Sequence, residues 1–223
     1  MVNQQSKSKS TTSIRVLGVL FPKASLPKLS RVGEKRRNSI LDATITLFRK
    51  KGFHGTSIDE IGEAAGVKGP AIYHYFKSKN EILHAVFLRL GDSMLREVLH
   101  KLEGLTKADE IMEVLINSHV EALWKNRAMF PLLYQEFNNL AEAEQVESAE
   151  RRRFWGKIWA TALNELRPEL TVEVCDTMVQ GALWLIHSVA FYEVKADPES
   201  TKVLLKRMAK AALFKTPASS NFE

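Results

Sequence analysis

The side chains best suited to binding chemistry lie between residues 56 and 83, in the segment TSIDEIGEAAGVKGPAIYHYFKSKNEIL. Hydroxyl, ammonium and imidazole groups recur there, and each can donate hydrogen bonds to phosphate oxygens. A lysine can also bind guanine O6 and N7, and a proline or an alanine can contact a thymine methyl group. Nothing in the segment indicates catalysis, so we interpret it as a surface that binds nucleic acid.

Two short helices that meet at Gly66 must position those side chains. Thr56 with Asp59, or Ser57 with Glu60, predicts a capping box at the start of the first helix. Gly66 suits the left-handed residue that ends this helix, and the proline at position 70 fits the first turn of the second. The combination predicts a helix-turn-helix. The alternative is an ordinary helical hairpin, which each signal taken alone also allows.

We predict that a recognition helix from Gly69 to Tyr75 enters the DNA major groove. Lys68 and the Tyr73 hydroxyl are placed to reach base edges, whereas the other polar groups suit phosphates, which set register and affinity. Because the helix begins Gly-Pro-Ala and lacks long donors, part of the specificity is expected to come from DNA shape. The candidate DNA-binding residues are Thr56, Ser57, Lys68, Gly69, Pro70, Ala71, Tyr73, His74, Tyr75 and Lys79.

Composition restricts the classes of protein that the chain can form. Its 223 residues are 45% hydrophobic, enough for a substantial core, and its few prolines and glycines favour helices. The lone cysteine, Cys175, cannot form an internal disulfide, which favours a reducing, cytoplasmic compartment. No run approaches the ~20 apolar residues that cross a bilayer, so no membrane partner is expected.

Positive charge is concentrated towards the N-terminus. Residues 1–80 hold 15 Lys/Arg against 5 Asp/Glu, whereas residues 81–223 hold 17 against 21. A basic region on a mildly acidic body predicts a polyanionic partner for the basic region alone. The alternative is a solvated basic tail.

The segment from residue 36 to residue 83 resembles the DNA-binding head of TetR-type transcriptional regulators. The resemblance implies an all-helical homodimer with a variable C-terminal domain that binds an effector, and it places Tyr73 and Lys79 at positions that contact the DNA backbone. Two residues depart from the pattern: Gly62 stands where the family usually has alanine, and Lys68 where a small capping residue is common. The matching residues are Phe48, Gly52, Phe53, Thr56, Ile61, Ala65, Gly66, Val67, Ile72, Tyr73, Phe76, Lys79 and Leu83.

The chain as a whole is predicted to be all-α and to have four parts. Residues 1–31, rich in Ser, Thr, Lys and Gln, are interpreted as a flexible basic tail rather than a signal peptide. Residues 32–78 form the predicted three-helix helix-turn-helix domain. Residues 79–216 form a larger helical domain for effector binding and dimerisation, and residues 217–223 a short tail.

Two C-terminal helices, near residues 171–194 and 199–214, are the predicted homodimer interface. The first is apolar on nearly every side from Met178 to Phe191, so it must be buried on two faces. A two-fold dimer would present two heads to a pseudo-palindromic operator, with half-sites ~34–36 Å apart or a multiple of that spacing. The alternative is a central core helix in a monomer.

Aromatic and Met side chains gather in the C-terminal region. Individually they are best explained as core packing, but together they could line a mostly apolar effector cavity. The segment from Tyr134 through Arg151, Arg152 and Arg153 to residue 159 loosely resembles effector domains of TetR-type regulators that respond to acyl-CoA or related lipids. We favour the alternative that the arginines form a solvated helix face, and we interpret His187 as a hydrogen-bonded core histidine. The candidate ligand-binding residues are Trp124, Phe130, Tyr134, Phe137, Trp155, Trp159, Met178 and Trp184.

These observations predict a ligand-responsive regulator, in the first instance a repressor, that binds double-stranded DNA as a homodimer and is released by a small apolar or amphipathic effector. An effector-independent DNA-binding protein is the main alternative. An enzyme is not expected, because GxSxG, HExxH, P-loop and GxGxxG motifs are absent from the sequence. The six histidines show no metal-binding spacing, so no metal or other cofactor is expected.

Overall fold

The described part of the chain is built from α-helices. The computed structural model describes residues 29–67 and 69–216, and within these ranges it contains no β-strand. The predicted all-α fold is confirmed. The predicted tail at 217–223 and nearly all of the one at 1–31 lie outside the described residues. The helices are α1 (Arg31–Lys51), α2 (Ile58–Ala64), α3 (Gly69–Ile72), α4 (Lys79–Leu102), α5 (Ala108–Asn126), α6 (Phe130–Glu136), α7 (Glu142–Leu166), α8 (Val172–His187) and α9 (Pro198–Phe214).

The described residues divide into two compact units. The head unit comprises residues 29–67, 69–93 and 126–148, and the body unit comprises residues 94–125 and 149–216. The head unit has an apolar core that includes Ile40, Phe48, Ile61, Ile72 and Phe76, all nearly inaccessible to solvent. Met129, Leu132 and Leu140, from α6 and the turns beside it, join this core, a grouping that the sequence did not indicate.

The capping box predicted for α2 forms at Ser57 and Glu60. The Ser57 hydroxyl accepts a hydrogen bond from the Glu60 backbone N–H at 3.1 Å, and the Glu60 carboxylate accepts one from the Ser57 backbone N–H at 2.8 Å. Thr56 takes no part in the cap, because its hydroxyl donates to the Gly52 carbonyl at 2.8 Å. Of the two pairings that the sequence allowed, the structure therefore uses the second. At the other end of the helix, Gly66 has the predicted left-handed φ of 65°.

The connection from α1 to α2 depends on the backbone of Gly52. This residue has φ 72° and ψ 174°, a combination that is essentially restricted to glycine. An added Cβ would meet no atom within 4 Å, so the strain would lie in the backbone alone. We expect Gly52→Ala to lower the free energy of unfolding by about 1–3 kcal/mol, measured by urea denaturation.

A matched control for Gly52→Ala is available within α4. Gly91 has a helical backbone and space for a Cβ, since nothing lies within 4 Å of that position. Gly91→Ala should raise the free energy of unfolding by up to about 1 kcal/mol. Equal effects of the two substitutions would contradict the explanation from backbone conformation.

The helix predicted at 171–194 ends earlier than its composition suggested. Regular helix stops at His187, and a 3-10 turn follows from Ser188 to Ala190. The Ser188 hydroxyl donates to the Leu185 carbonyl at 2.7 Å. This carbonyl therefore has a hydrogen-bond donor other than the backbone N–H that a longer helix would supply. Within the described ranges, no helix combines the length and apolar character needed to cross a membrane.

Candidate nucleic-acid interface and effector site

The predicted recognition helix consists of one regular α-helical turn, followed by a turn that is closed by a hydrogen bond between residues three apart. α3 covers Gly69–Ile72, and the backbone N–H groups of Tyr75 and Phe76 both donate to the Ile72 carbonyl, at 2.8 and 3.0 Å. The regular helix is thus three residues shorter than predicted. The side chains of Ile72 and Phe76 are almost completely buried and anchor this segment in the head core.

Two contacts with α1 hold the end of α2 in place beside α3. The Arg36 guanidinium donates to the Gly66 carbonyl and the Ser39 hydroxyl donates to the Ala65 carbonyl, both at 3.4 Å. These bonds satisfy carbonyls that a helix leaves open at its C-terminus. Neither contact could be predicted from the sequence, because each side chain lies 26 or more residues from its partner.

The predicted DNA-binding residues differ in how accessible their side chains are. Pro70, Tyr73, His74 and Ser57 are exposed, and Tyr73 is 57% accessible to solvent. Ala71, Tyr75 and Lys79 are half-buried. Gly69 begins α3, and Lys68, to which base recognition was assigned, lies outside the described residues. Among the candidates, the exposed side chains therefore lie at the start of α2, on α3 and in the turn after α3.

The hydroxyls of Thr56 and Ser57 are used within the fold. Thr56 is only 1% exposed, and the single O–H of Ser57 donates to the Glu60 carboxylate at 3.0 Å. Hydrogen bonds from Lys51 and from Ser57 lower the pKa of Glu60 to about 2, so this carboxylate is charged at neutral pH. A phosphate contact by either hydroxyl stays a prediction, and it would need these bonds to rearrange.

Lys79 ties the start of α4 to the loop between α1 and α2. Its ammonium donates to the carbonyls of Phe53 at 2.9 Å and Thr56 at 3.0 Å, and it lies 4.4 Å from the centre of the Phe53 ring. Hydrogen bonds to charged groups and cation–π contacts are among the stronger polar interactions in a protein. Lys79 therefore has a structural role besides any contact with phosphate.

Replacing Lys79 with methionine should test that structural role. We expect Lys79→Met to lower the free energy of unfolding by about 2 kcal/mol, because two backbone carbonyls lose a charged donor. Lys77→Met is the control, since Lys77 is an exposed lysine two residues away. Urea denaturation measures both; an unchanged stability of Lys79→Met would contradict the role.

The predicted ligand-binding residues do not all lie in one unit. Phe130, Tyr134 and Phe137 belong to the head unit, and Phe137 packs against its core. The other five belong to the body unit, where Trp155 and Trp159 are buried with ring centroids 6.3 Å apart. The remaining three are Trp124, Met178 and Trp184, the last of which is 53% exposed.

We interpreted the three arginines of α7 as a solvated helix face, and for one of them this interpretation is wrong. Arg152 and Arg153 are exposed, but Arg151 is only 7% exposed. Arg151, Trp155 and Trp159 are spaced i, i+4, i+8 along one side of α7, and this side is packed against the rest of the body unit. Removal from water lowers the pKa of the Arg151 guanidinium from its ordinary value.

A buried histidine that the sequence did not single out completes the aromatic cluster. The His119 ring stacks on Trp155 at 5.9 Å and meets Trp159 edge-on at 5.6 Å. Its Nε2 atom lies 2.9 Å from Nε2 of His187, so one of these atoms donates and the other accepts. His187 is thus hydrogen-bonded, as predicted, although it is half-buried rather than enclosed in the core. We name His119, Trp155, Trp159 and His187 the ring cluster.

The histidine pair makes stability depend on pH. Burial lowers the pKa of His187 from 6.5 to about 4, and burial beside His187 lowers that of His119 well below its ordinary value. Both rings are neutral in the folded state, whereas the unfolded chain takes up protons below about 6.5. Their contribution is therefore complete above that pH and is lost as the pH falls towards 4.

We expect the titration of His187 to lower the free energy of unfolding by about 2 kcal/mol between pH 7.5 and pH 5, and that of His119 to lower it further. Urea denaturation at a series of pH values measures the fall. His187→Gln keeps a polar side chain but does not titrate, so this variant should show a smaller fall than the wild type. Identical pH profiles for the two proteins would contradict this account.

A small cleft elsewhere in the body unit cannot hold an effector. Its volume is about 20 Å³, which is room for about one water molecule. Ligand pockets usually measure about 300–1,000 Å³. The cleft is lined by Leu99, Leu102, Ile111, Ile158, Thr161, Ala162 and Glu165.

Comparison with known proteins agrees with this architecture. Residues 40–86 match the family model described as bacterial regulatory proteins, tetR family. The chain is 26% identical over 165 residues to the HTH-type transcriptional repressor KstR2 of Mycolicibacterium smegmatis, an alignment that covers 71% of this chain and 80% of that protein.

Two solved structures share the fold. The transcriptional regulator FadR from Bacillus subtilis, in complex with stearoyl-CoA, is 20% identical with a TM-score of 0.66, covering 81% of this chain and 99% of that one. The ketosteroid transcriptional regulator KstR2 of Mycobacterium tuberculosis is 21% identical with a TM-score of 0.61, covering 80% and 93%.

A helix-turn-helix joined to further helices, as in the described residues, is typical of DNA-binding transcriptional regulators. Residues 40–86 thus match the tetR family model, and over most of its length the chain is similar to TetR-type transcriptional regulators. The matched relatives are regulators, which at the level of the family supports the expectation that the chain is not an enzyme.

Proposed function

We propose that the protein is a repressor that binds a pseudo-palindromic operator as a homodimer and is released by a small apolar or amphipathic effector. The observation that carries the proposal is the α2–Gly66–α3 unit, whose buried side anchors it in the head core while Tyr73 and His74 face solvent. A similar chain, KstR2 of Mycolicibacterium smegmatis, is named a transcriptional repressor.

On the DNA, α3 is proposed to lie in the major groove. The exposed hydroxyl of Tyr73 and imidazole of His74 suit phosphate oxygens, as does the ammonium of Lys79. Lys68 is proposed to read a base edge, and the short apolar start of α3 leaves the rest of the specificity to DNA shape. Lys68→Ala should then weaken binding to the operator more than binding to other duplexes.

An exposed apolar face on α8 and α9 supports the proposed homodimer. The buried side of α9 is formed by residues such as Leu205, Ala209 and Leu213, which belong to the core. The opposite side of α9 exposes large apolar side chains, as does α8. Faces of this kind usually mark a contact with another protein. These exposed residues are Val172, Val174 and Trp184 of α8 and Val203, Leu204, Met208 and Phe214 of α9.

The effector is proposed to enter the body unit near the ring cluster. Trp155, Trp159 and His119 supply an apolar, aromatic surface, and the buried guanidinium of Arg151 lies on the same side of α7. The names of the two similar structures mention stearoyl-CoA and a ketosteroid, each of which joins a large apolar part to groups that carry oxygen atoms. Since the cluster is closely packed, an effector would have to open it, and this would couple binding to a change in conformation.

Selection from a random duplex library, followed by fluorescence anisotropy, tests the proposal. We expect a pseudo-palindromic site bound at least ~10³-fold more tightly than a scrambled duplex. Stearoyl-CoA or a ketosteroid, added separately, should weaken operator binding about 5–150-fold if it is an effector. Binding without sequence preference would instead favour an architectural DNA-binding protein.

A further inference from the structure

The ring cluster contains three buried nitrogen atoms that have no hydrogen-bond partner. These are Nε1 of Trp155, Nε1 of Trp159 and Nδ1 of His119, and no atom of the described residues accepts from or donates to them. The three side chains are 8%, 0% and 3% exposed. Almost all buried polar groups in folded proteins are paired, so three such atoms in mutually contacting rings need an explanation.

The chemistry of the two indoles restricts what could pair with them. An indole N–H is a donor only, so its partner must supply a lone pair. His119 adds no such requirement of its own, because its Nδ1 is a donor when Nε2 accepts from His187 and an acceptor when Nε2 donates. The indoles alone therefore define the missing partner as a hydrogen-bond acceptor.

The charge beside the indoles points to the same kind of partner. Arg151 lies one turn before Trp155 on the same side of α7, is only 7% exposed, and makes interactions of its own in the fold. Its guanidinium is a cation and donates without accepting. Arg151 and the two indoles thus place three side chains that donate and do not accept along one side of α7.

We propose that the effector is an apolar molecule with a carbonyl or carboxylate oxygen that accepts a hydrogen bond from Trp155 or Trp159. This inference rests on the proposed effector function and deepens it by naming the chemical group that the site selects. The rings would bury the apolar part of the molecule, and the oxygen would pair with an indole N–H that has no partner otherwise. An effector of the same shape without an acceptor would leave those donors unpaired.

Three compounds of nearly equal shape separate the alternatives: 2-acetylnaphthalene carries a carbonyl, 2-naphthoate a carboxylate, and 2-ethylnaphthalene neither. Equilibrium dialysis against the full-length protein gives their dissociation constants. We expect at least one of the two oxygen-bearing compounds to bind about tenfold more tightly than 2-ethylnaphthalene. Comparing the carbonyl with the carboxylate shows whether negative charge adds to the selection.

Nuclear magnetic resonance identifies which indole is involved. The chain has four tryptophans, and single Trp→Phe variants assign their four indole N–H signals. The signal of Trp155 or Trp159 should move downfield with the preferred compound and not with 2-ethylnaphthalene. Trp155→Phe or Trp159→Phe should abolish the tenfold preference, whereas Tyr192→Phe, which changes an exposed ring outside the ring cluster, should retain it.

Phenylalanine is smaller than tryptophan, so the two core variants could unfold. Incorporation of 3-benzothienylalanine at position 155 or 159 avoids this difficulty, because sulfur replaces the N–H group while the size of the ring is kept. The same loss of preference is expected. A circular dichroism spectrum and melting temperature close to those of the wild type show that the fold is intact.

Several results would overturn the inference. They are equal affinity for all three compounds, no binding of any of them, indole signals that do not move, and free-state signals already at hydrogen-bonded positions, as expected for indoles paired with water. Operator binding measured on the same samples separates this inference from the proposed function. Sequence-specific DNA binding without discrimination among the compounds rejects the inference alone, whereas discrimination without operator preference rejects the repressor and leaves the site.

Discussion

Replacing Leu204 and Met208 together with glutamate should give a monomer whose operator affinity is lower by about 10²–10⁴-fold. Both side chains lie on the exposed face of α9, at 56% and 42% accessibility. They are spaced i, i+4, so two carboxylates would stand side by side in the proposed interface. In a two-fold dimer the substitutions occur twice, which places four negative charges where apolar contact is required.

The expected effect on DNA binding is large because the two heads of the proposed dimer bind together. Once one head is bound, the second meets its half-site at a high effective concentration, and a monomer loses this advantage entirely. Each head retains its own contacts, so weak binding to any duplex should persist. Multi-angle light scattering measures the mass in solution, and fluorescence anisotropy with the selected operator measures the affinity.

Arg96→Glu is the control for charge. It lowers the net charge by two, as the double substitution does, but it lies on an exposed side of α4. This variant should remain dimeric and bind the operator nearly as tightly as the wild type. A Leu204→Glu, Met208→Glu protein that remained dimeric would show that the interface lies on another surface.

The helix-turn-helix could be predicted because local requirements fix it. The Ser57–Glu60 cap joins residues three apart, and Gly66 is required by the backbone conformation of a single position. The amphipathic spacing of Ile72 and Phe76 likewise follows from one helical turn. Each of these features involves residues no more than four positions apart, so the motif could be predicted without knowledge of the fold.

Contacts between distant residues were not predictable in the same way. Lys79 was assigned to phosphate because it is a lysine beside a helix start, but its ammonium binds carbonyls 23 and 26 residues earlier. His119 joins the ring cluster through partners on α7 and α8 that no local pattern connects to it. The burial of Arg151 depends equally on how α7 is packed, which composition does not indicate.

A negative charge on α3 should abolish operator binding while leaving the fold intact. Ala71 is half-buried on α3, the helix proposed to lie in the major groove. In Ala71→Glu a carboxylate would face DNA phosphates in each head, and like charges brought together in an interface cost several kcal/mol. We expect affinity to fall by about 10³-fold or more, for the operator and for other duplexes alike.

Ala71→Gln distinguishes charge from size, because glutamine has nearly the same shape as glutamate and no charge. Both residues are good helix formers, so the melting temperatures of the two variants should stay close to that of the wild type. Fluorescence anisotropy should show a much smaller loss for glutamine, and added salt should narrow the gap by screening the repulsion. Equal losses would mean that the site rejects any larger side chain. If neither variant lost affinity, α3 would lie outside the DNA interface, and the proposed mode of binding would be wrong.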